Sequence, residues 1–172
     1  MLIYKKHKGF TLIELLVVIV IIGILATISV ATFSGYFDRA RTAKIEAETG
    51  SLVSAITIAR ELDGRPLRFV TGTGCSDCSC RGGIELNNLA DNHACIVRMR
   101  LTYNRIATAA GADLGNFFED PWGSPYLIDE NEQESGCSPD NLRSAGPDAI
   151  LLTADDIQLD VLPFYDRRNC GV

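Results

Sequence analysis

One stretch constrains this chain more than any other. From Leu15 to Phe37 no side chain is charged, and a single acid, Glu14, stands at the head of the run. At ~1.5 Å rise per residue, a helix over those positions is long enough to cross a hydrocarbon core of about 30 Å. A carboxylate near its start costs up to roughly 2.5–3.5 kcal/mol on insertion scales, so Glu14 demands a partner. Three kinds of N-terminus have this form. One is a plain membrane anchor with Glu14 close enough to the interface to reach water. Another is a secretory signal with Ser29-Val30-Ala31 as a small-residue cleavage site, but the acid and the length of the run fit it poorly. The third is a leader cut on the cytoplasmic side between Gly9 and Phe10, leaving the apolar segment in the mature protein. Lys5, Lys6 and Lys8 keep that leader cytoplasmic, so the residues beyond Phe37 lie across the membrane.

The apolar run continues into an amphipathic one. Ile45, Thr49, Leu52, Ile56 and Ala59 recur at alternating four and three, while Lys44, Glu46, Glu48 and Arg60 are assigned to other faces. Asp63-Gly64-Arg65-Pro66 supplies the stop, with Gly64 suited to a left-handed cap and Pro66 unable to continue. The pattern predicts one helix from about Phe10 to Leu62, on the order of 80 Å long. Beyond it the elements are short. Leu67–Val70 reads as strand or loop, and Ile84–Ala90 is ambiguous. Cys95–Tyr103 alternates as a strand does, and Tyr126–Ile128 and Ile150–Leu152 are further strand candidates. The expected class is α+β: a long N-terminal helix, transmembrane then amphipathic, packed by a small antiparallel sheet. Its divisions are a leader (1–9), a transmembrane or filament-core helix (10–37), the amphipathic half of the stem (38–64) and a globular head (65–172). The head carries a Cys-rich insert (71–100) and an acidic loop (144–157).

Composition excludes several functions. Formal charge is −6, and falls to −9 without the three leader lysines, which argues against nucleic acid as a partner. No Walker loop, Rossmann fingerprint or His-Glu-x-x-His is present. Of the two histidines, His7 belongs to the leader and His93 reads as a surface residue, so no catalytic site is expected.

Gly9-Phe10-Thr11-Leu12-Ile13-Glu14-Leu15-Leu16-Val17-Val18-Ile19 resembles the processing signature of the type IV pilin and type II secretion pseudopilin superfamily. The resemblance implies a pilin-like fold and cleavage between Gly9 and Phe10 by a prepilin peptidase. It also implies N-methylation of Phe10 and a Glu14 that pairs with the terminal amine of a neighbouring subunit. Ala31 stands where many relatives place a helix-kinking proline. In the head, Asp120-Pro121-Trp122-Gly123-Ser124-Pro125-Tyr126 reads on its own as a tight turn pinned by an aromatic. It resembles an Asp-Pro-Trp-Gly element of the major pseudopilin, and Ser144–Asp148 with Thr153–Ile157 resembles that family's calcium loop. The resemblance implies calcium held by Asp148, Asp155 and Asp156, with the backbone carbonyls of Ala145 and Thr153 completing the shell. Such hard oxygens are what calcium takes. Ala149 replaces the family's glycine there, and Ile150-Leu151-Leu152 replaces a glycine-rich stretch.

The six cysteines, Cys75, Cys78, Cys80, Cys95, Cys137 and Cys170, all fall on the exported side, where disulfides persist. A zinc or iron–sulfur site is the alternative. If each clustered cysteine reaches a distant one, short rings are avoided. A Cys137–Cys170 bridge tying down the C-terminus would instead leave a pair inside the cluster.

The expected function is that of a structural subunit of a helical pseudopilus driving export by a type II secretion system. Its expected partners are other copies of itself, an assembly ATPase, an inner-membrane platform protein, minor pseudopilins and, before assembly, membrane lipid. It would sit single-pass in the inner membrane with its head in the periplasm. The alternatives are a type IV pilus subunit, and a membrane-anchored metal or redox protein using the cysteine cluster.

Overall fold

A computed structural model describes residues 10–132, 138–161 and 163–164, with the side chains of 28–35 and 38 excepted. The expected leader, Gly9 included, lies outside the described residues, as do Cys137 and Cys170. The chain divides into two compact units, Met1–Thr42 and Ala43–Val172, and helix α1 (Leu12–Asp63) contributes to both.

In the first unit α1 opens with an apolar run from Leu12 to Thr27 that holds one acid, Glu14. Every residue from Phe10 to Thr27 is exposed. Among the described residues no helix is long and apolar enough to cross a membrane: the apolar part described with its side chains, Leu12 to Thr27, stops short of a full span.

In the second unit the helical stripe finds its partners. Ile45, Thr49, Leu52, Ile56 and Ala59 are all buried, as their spacing predicts. Gly64 ends α1 at φ 72°, its amide donating to the Arg60 carbonyl at 2.8 Å, the left-handed stop expected of Asp-Gly-Arg-Pro. Arg60 departs from expectation. It is buried, with its guanidinium 3.8 Å from Glu132 and 3.6 Å from Asp140, themselves buried acids. A cation with two carboxylates beneath the surface can lie on the inner side of a helix where a lone one could not.

After α1 come α2 (Leu67–Thr71), a 3-10 turn (Asp77–Cys80), a second (Leu86–Asn88), α3 (Ala94–Ala110) and a third 3-10 turn (Gly115–Phe117). Strands β1 (Leu127–Asp129), β2 (Asp140–Ser144) and β3 (Ile157–Val161) complete the chain as an antiparallel sheet in the order β1-β2-β3, with Ile128 opposite Leu142 and Leu142 opposite Leu159. Residues from the stem stripe, Tyr103 and Ile106 of α3, and Ile128, Leu142 and Val161 of the sheet form one core. This is the expected α+β architecture.

Three local expectations are overturned. Cys95–Tyr103 is helix: its buried positions Cys95, Ile96, Met99, Thr102, Tyr103 and Ile106 keep the helical period, and Val97 and Leu101, which make the stretch alternate, are exposed. His93 caps this helix, its Nδ1 accepting from the Cys95 amide at 3.2 Å, and Gly111 closes it at φ 64°. Leu67–Val70 is a short helix rather than a strand. Ile150–Leu152 forms one isolated bridge, Ile150 with Glu85, then turns.

Candidate functional site

Four places carry the chemistry expected of the chain. At the start of α1, Thr11 and Glu14 form a capping box. The Thr11 amide donates to Glu14 Oε2 at 2.8 Å, its hydroxyl to the same oxygen at 2.7 Å, and the Glu14 amide approaches the Thr11 hydroxyl at 3.4 Å. Two otherwise unpaired donors at the helix N-terminus are thereby satisfied. The Thr-x-x-Glu spacing is a local signal for this cap, whereas the family resemblance directs attention to a partner in another molecule. Phe10 stands beside it, 81% exposed.

The turn at Asp120–Ser124 is organised by its acid. Asp120 Oδ1 accepts the Trp122 and Ser124 amides at 2.9 Å each, and Oδ2 accepts the Ser144 hydroxyl at 2.5 Å. Gly123 takes φ 84°. Burial pushes the Asp120 carboxyl up from the usual range, against these hydrogen bonds. Trp122 is half-buried against the core. The fully buried aromatic is Tyr126, whose hydroxyl donates to Glu48 Oε2 at 2.8 Å. The turn thus ties the start of the sheet to the stem helix.

The acidic loop brings Asp148 and Asp155 into contact, the Asp148 amide donating to Asp155 Oδ2 at 3.1 Å. Asp148 Oδ1 accepts the Ile150 amide and Asp156 Oδ2 the Leu152 amide, both at 2.8 Å, while the Thr153 hydroxyl donates to Asp155 Oδ1 at 2.7 Å. The Thr153 hydroxyl and the Asp148 amide hold the half-buried Asp155 carboxyl below its ordinary range. Ala149 and Leu152 take φ 58° and 71°. These are left-handed values that cost a residue with a Cβ roughly 1–2 kcal/mol. The loop therefore keeps a glycine-like path where the residues are not glycine. Its hard oxygens are the right donor chemistry for calcium. They do not converge on one point, however. Among the described residues, the only set of three ligand-type groups within 4.8 Å of one another is Cys75, Asp77 and Cys78.

Those cysteines are bridged, Cys75 to Cys78 and Cys80 to Cys95. The first pair lies inside the cluster, as the alternative with a Cys137–Cys170 bridge requires, and rules out the arrangement in which every clustered cysteine reaches a distant one; Cys137 and Cys170 lie outside the described residues. The loop after Cys75 is pulled inward by Ser76, so the ring closes locally. With all four of these sulfurs in disulfides, the cluster as it stands offers no thiolate to a metal. Beneath the loop lies Glu130, which is fully buried and invisible to sequence reasoning. It accepts the Ser76 amide at 2.8 Å and the Ser76 hydroxyl at 2.6 Å, and burial pushes its carboxyl up to about 7. Arg81 bridges Asp77 Oδ1 at 2.8 Å and Asp129 Oδ2 at 2.9 Å.

A helix that opens bare and apolar, then packs under a small antiparallel sheet, gives an α+β fold of pilin-like form. Residues 4–30 match the family model described as the prokaryotic N-terminal methylation motif. The chain is 33% identical to the type II secretion system core protein G of Escherichia coli over 88% of its own length and 90% of that protein. It is 38% identical to a type IV major fimbrial protein of Dichelobacter nodosus over 48% of this chain and 53% of the other, and 52% identical to the type IV narrow pilus major component of Thermus thermophilus over 31% and 47%. The match spans about half the length of these two pilus relatives. No solved structure matches. The chain belongs to the superfamily of type IV pilins and type II secretion pseudopilins, whose members are structural subunits rather than enzymes.

Proposed function

We propose that this chain is the major subunit of a type II secretion pseudopilus. The similarity to the core secretion protein carries this reading. It runs over 152 residues and so takes in most of the head, whereas the similarity to the fimbrial protein covers 84. In this reading a prepilin peptidase cuts between Gly9 and Phe10 and methylates the new Phe10 amine. The segment 10–37 holds the subunit single-pass in the inner membrane with its head in the periplasm. An ATPase and a platform protein then feed it into a helical fibre begun by minor pseudopilins. Phe10 to Thr27 offers the apolar surface that leaves lipid for neighbouring stems. Glu14 meets the Phe10 amine of the next subunit, which recovers much of the cost of desolvating the acid.

Deleting the gene in its host is expected to stop exoprotein release and leave surface fibres intact. Glu14→Ala is expected to leave a cleaved, membrane-bound subunit that forms no fibre in electron micrographs. Surface fibres lost while secretion persists would instead make it a pilus subunit, the reading favoured by the fimbrial relatives.

Calcium forms the second part of the proposal. Asp148, Asp155 and Asp156, with the carbonyls of Ala145 and Thr153, would hold the ion and neutralise the loop. Its support is the donor chemistry and the glycine-like backbone retained at Ala149 and Leu152. Calorimetric titration of the full chain with calcium should show one site that Asp155→Ala removes. A flat titration of the native chain would end the proposal.

A further inference from the structure

We infer that the Cys75–Cys78 disulfide is a site of reversible thiol–disulfide exchange, open to dithiols and separate from the bridge that holds the head together. This rests on the insert alone and is independent of the filament reading.

The two bridges differ in every respect that governs reactivity. Cys80 and Cys95 are both fully buried and join the insert to α3 across 15 residues. Cys78 is exposed, Cys75 is half-buried, and they close a ring across three. Exposed disulfides are the labile ones, because attack requires a thiolate to reach a sulfur in line with the S–S bond. Here the reachable sulfur is that of Cys78.

The contacts beneath the ring matter as much. Ser76, between the two cysteines, is fully buried. Its amide and hydroxyl are held by Glu130 and its hydroxyl lies 2.8 Å from that of Thr102. Asp77 is buried too, and is paired with Arg81. The backbone of the ring is thus anchored by contacts that do not involve sulfur. Opening the disulfide frees two side chains and leaves the loop where it is, poised to close again.

Atoms and electrons balance in the exchange. A thiolate of the incoming dithiol attacks Cys78 Sγ, the Cys75–Cys78 bond breaks, and Cys75 leaves as a thiolate that takes a proton from water. Asp77 Oδ1, 3.3 Å from Cys75 Sγ, is placed to accept a hydrogen bond from the resulting thiol. The second thiol of the reagent then attacks the mixed disulfide and releases Cys78. Two electrons pass to the protein and the reagent leaves as a disulfide. Cys78 is exposed and Cys75 half-buried, so Cys78 is the reachable member of the reduced pair.

The test uses the full chain in detergent with dithiothreitol as the probe, with alkylation and peptide mapping as the readout. Cys75 and Cys78 should become alkylated together at a reagent concentration that leaves Cys80 and Cys95 bridged, with the near-ultraviolet dichroism of the head retained. Both bridges opening together, Cys80–Cys95 opening first, or the head unfolding as Cys75–Cys78 opens would each overturn the inference. Single variants sharpen it. The free Cys78 of Cys75→Ser should react with an aromatic disulfide about tenfold faster than the free Cys75 of Cys78→Ser, in keeping with its greater exposure. Equal rates would remove the assigned direction of attack.

Discussion

The two halves of α1 obey the same backbone rule and meet opposite fates. From Leu12 to Thr27 no side chain is buried, although nearly all are apolar. From Ile45 to Arg60 a mixed sequence is buried wherever the stripe falls, including a threonine and an arginine. Hydrophobicity alone therefore does not decide burial in this chain. The first half is more apolar than the second, and among the described residues nothing covers it. On the reading proposed above, its partners are lipid and further copies, while the second half is covered by the head that follows it.

That contrast can be broken by substitution. Arg60→Ala strands Glu132 and Asp140 beneath the surface and should cost roughly 3–5 kcal/mol, seen as loss of the head's cooperative denaturant transition. Ile56→Ala should cost roughly 2–5 kcal/mol in the same measurement. Val17→Ala, in the bare half, should leave the head's transition unchanged, and a matching loss there would erase the distinction. Glu130 gives a pH test. Its carboxyl rises from 4.5 to about 7 on folding, because burial outweighs the bonds from Ser76. Between those values the folded chain holds a proton that the unfolded chain has released. The contribution is therefore full below pH 4.5 and is lost as pH rises through 7, by about 3 kcal/mol. Glu130→Gln should flatten that slope in melts run from pH 4.5 to 8. The acidic loop gives a smaller, stabilising effect. Ala149→Gly should raise stability by about 1 kcal/mol by removing the cost of a left-handed alanine, with thermal melts as the check.

Much of this contrast is legible in the amino-acid sequence, because helical period and an Asp-Gly-Arg-Pro stop are local features. The stripe from Ile45 to Ala59 and the end of α1 need nothing else. Expectation and structure part where one local pattern is compatible with two elements. Cys95–Tyr103 alternates, yet carrying the window on to Ile106 and taking His93 and Gly111 as caps favours a helix. Strand β3 lies outside the expected strands although Ile157, Leu159 and Val161 alternate plainly. Strand β2, Asp-Asn-Leu-Arg-Ser, carries no such pattern and is held by its neighbours on both sides. The burial of Arg60 and Glu130 has no local signal at all. Each is buried by groups more than 50 residues away, Glu132 and Asp140 for one and Ser76 for the other, and only folding reveals the company.

The capping box at the head of α1 has a consequence for how a subunit changes its surroundings. Glu14 is not bare in the isolated chain, since Thr11 already supplies two donors to it. Joining a fibre would then be a handover, in which a neighbour's ammonium displaces or joins a hydroxyl and an amide, with no moment at which the acid faces hydrocarbon alone. On the reading proposed above, such a relay would spare the acid a bare passage through hydrocarbon on the way out of the bilayer and on any way back.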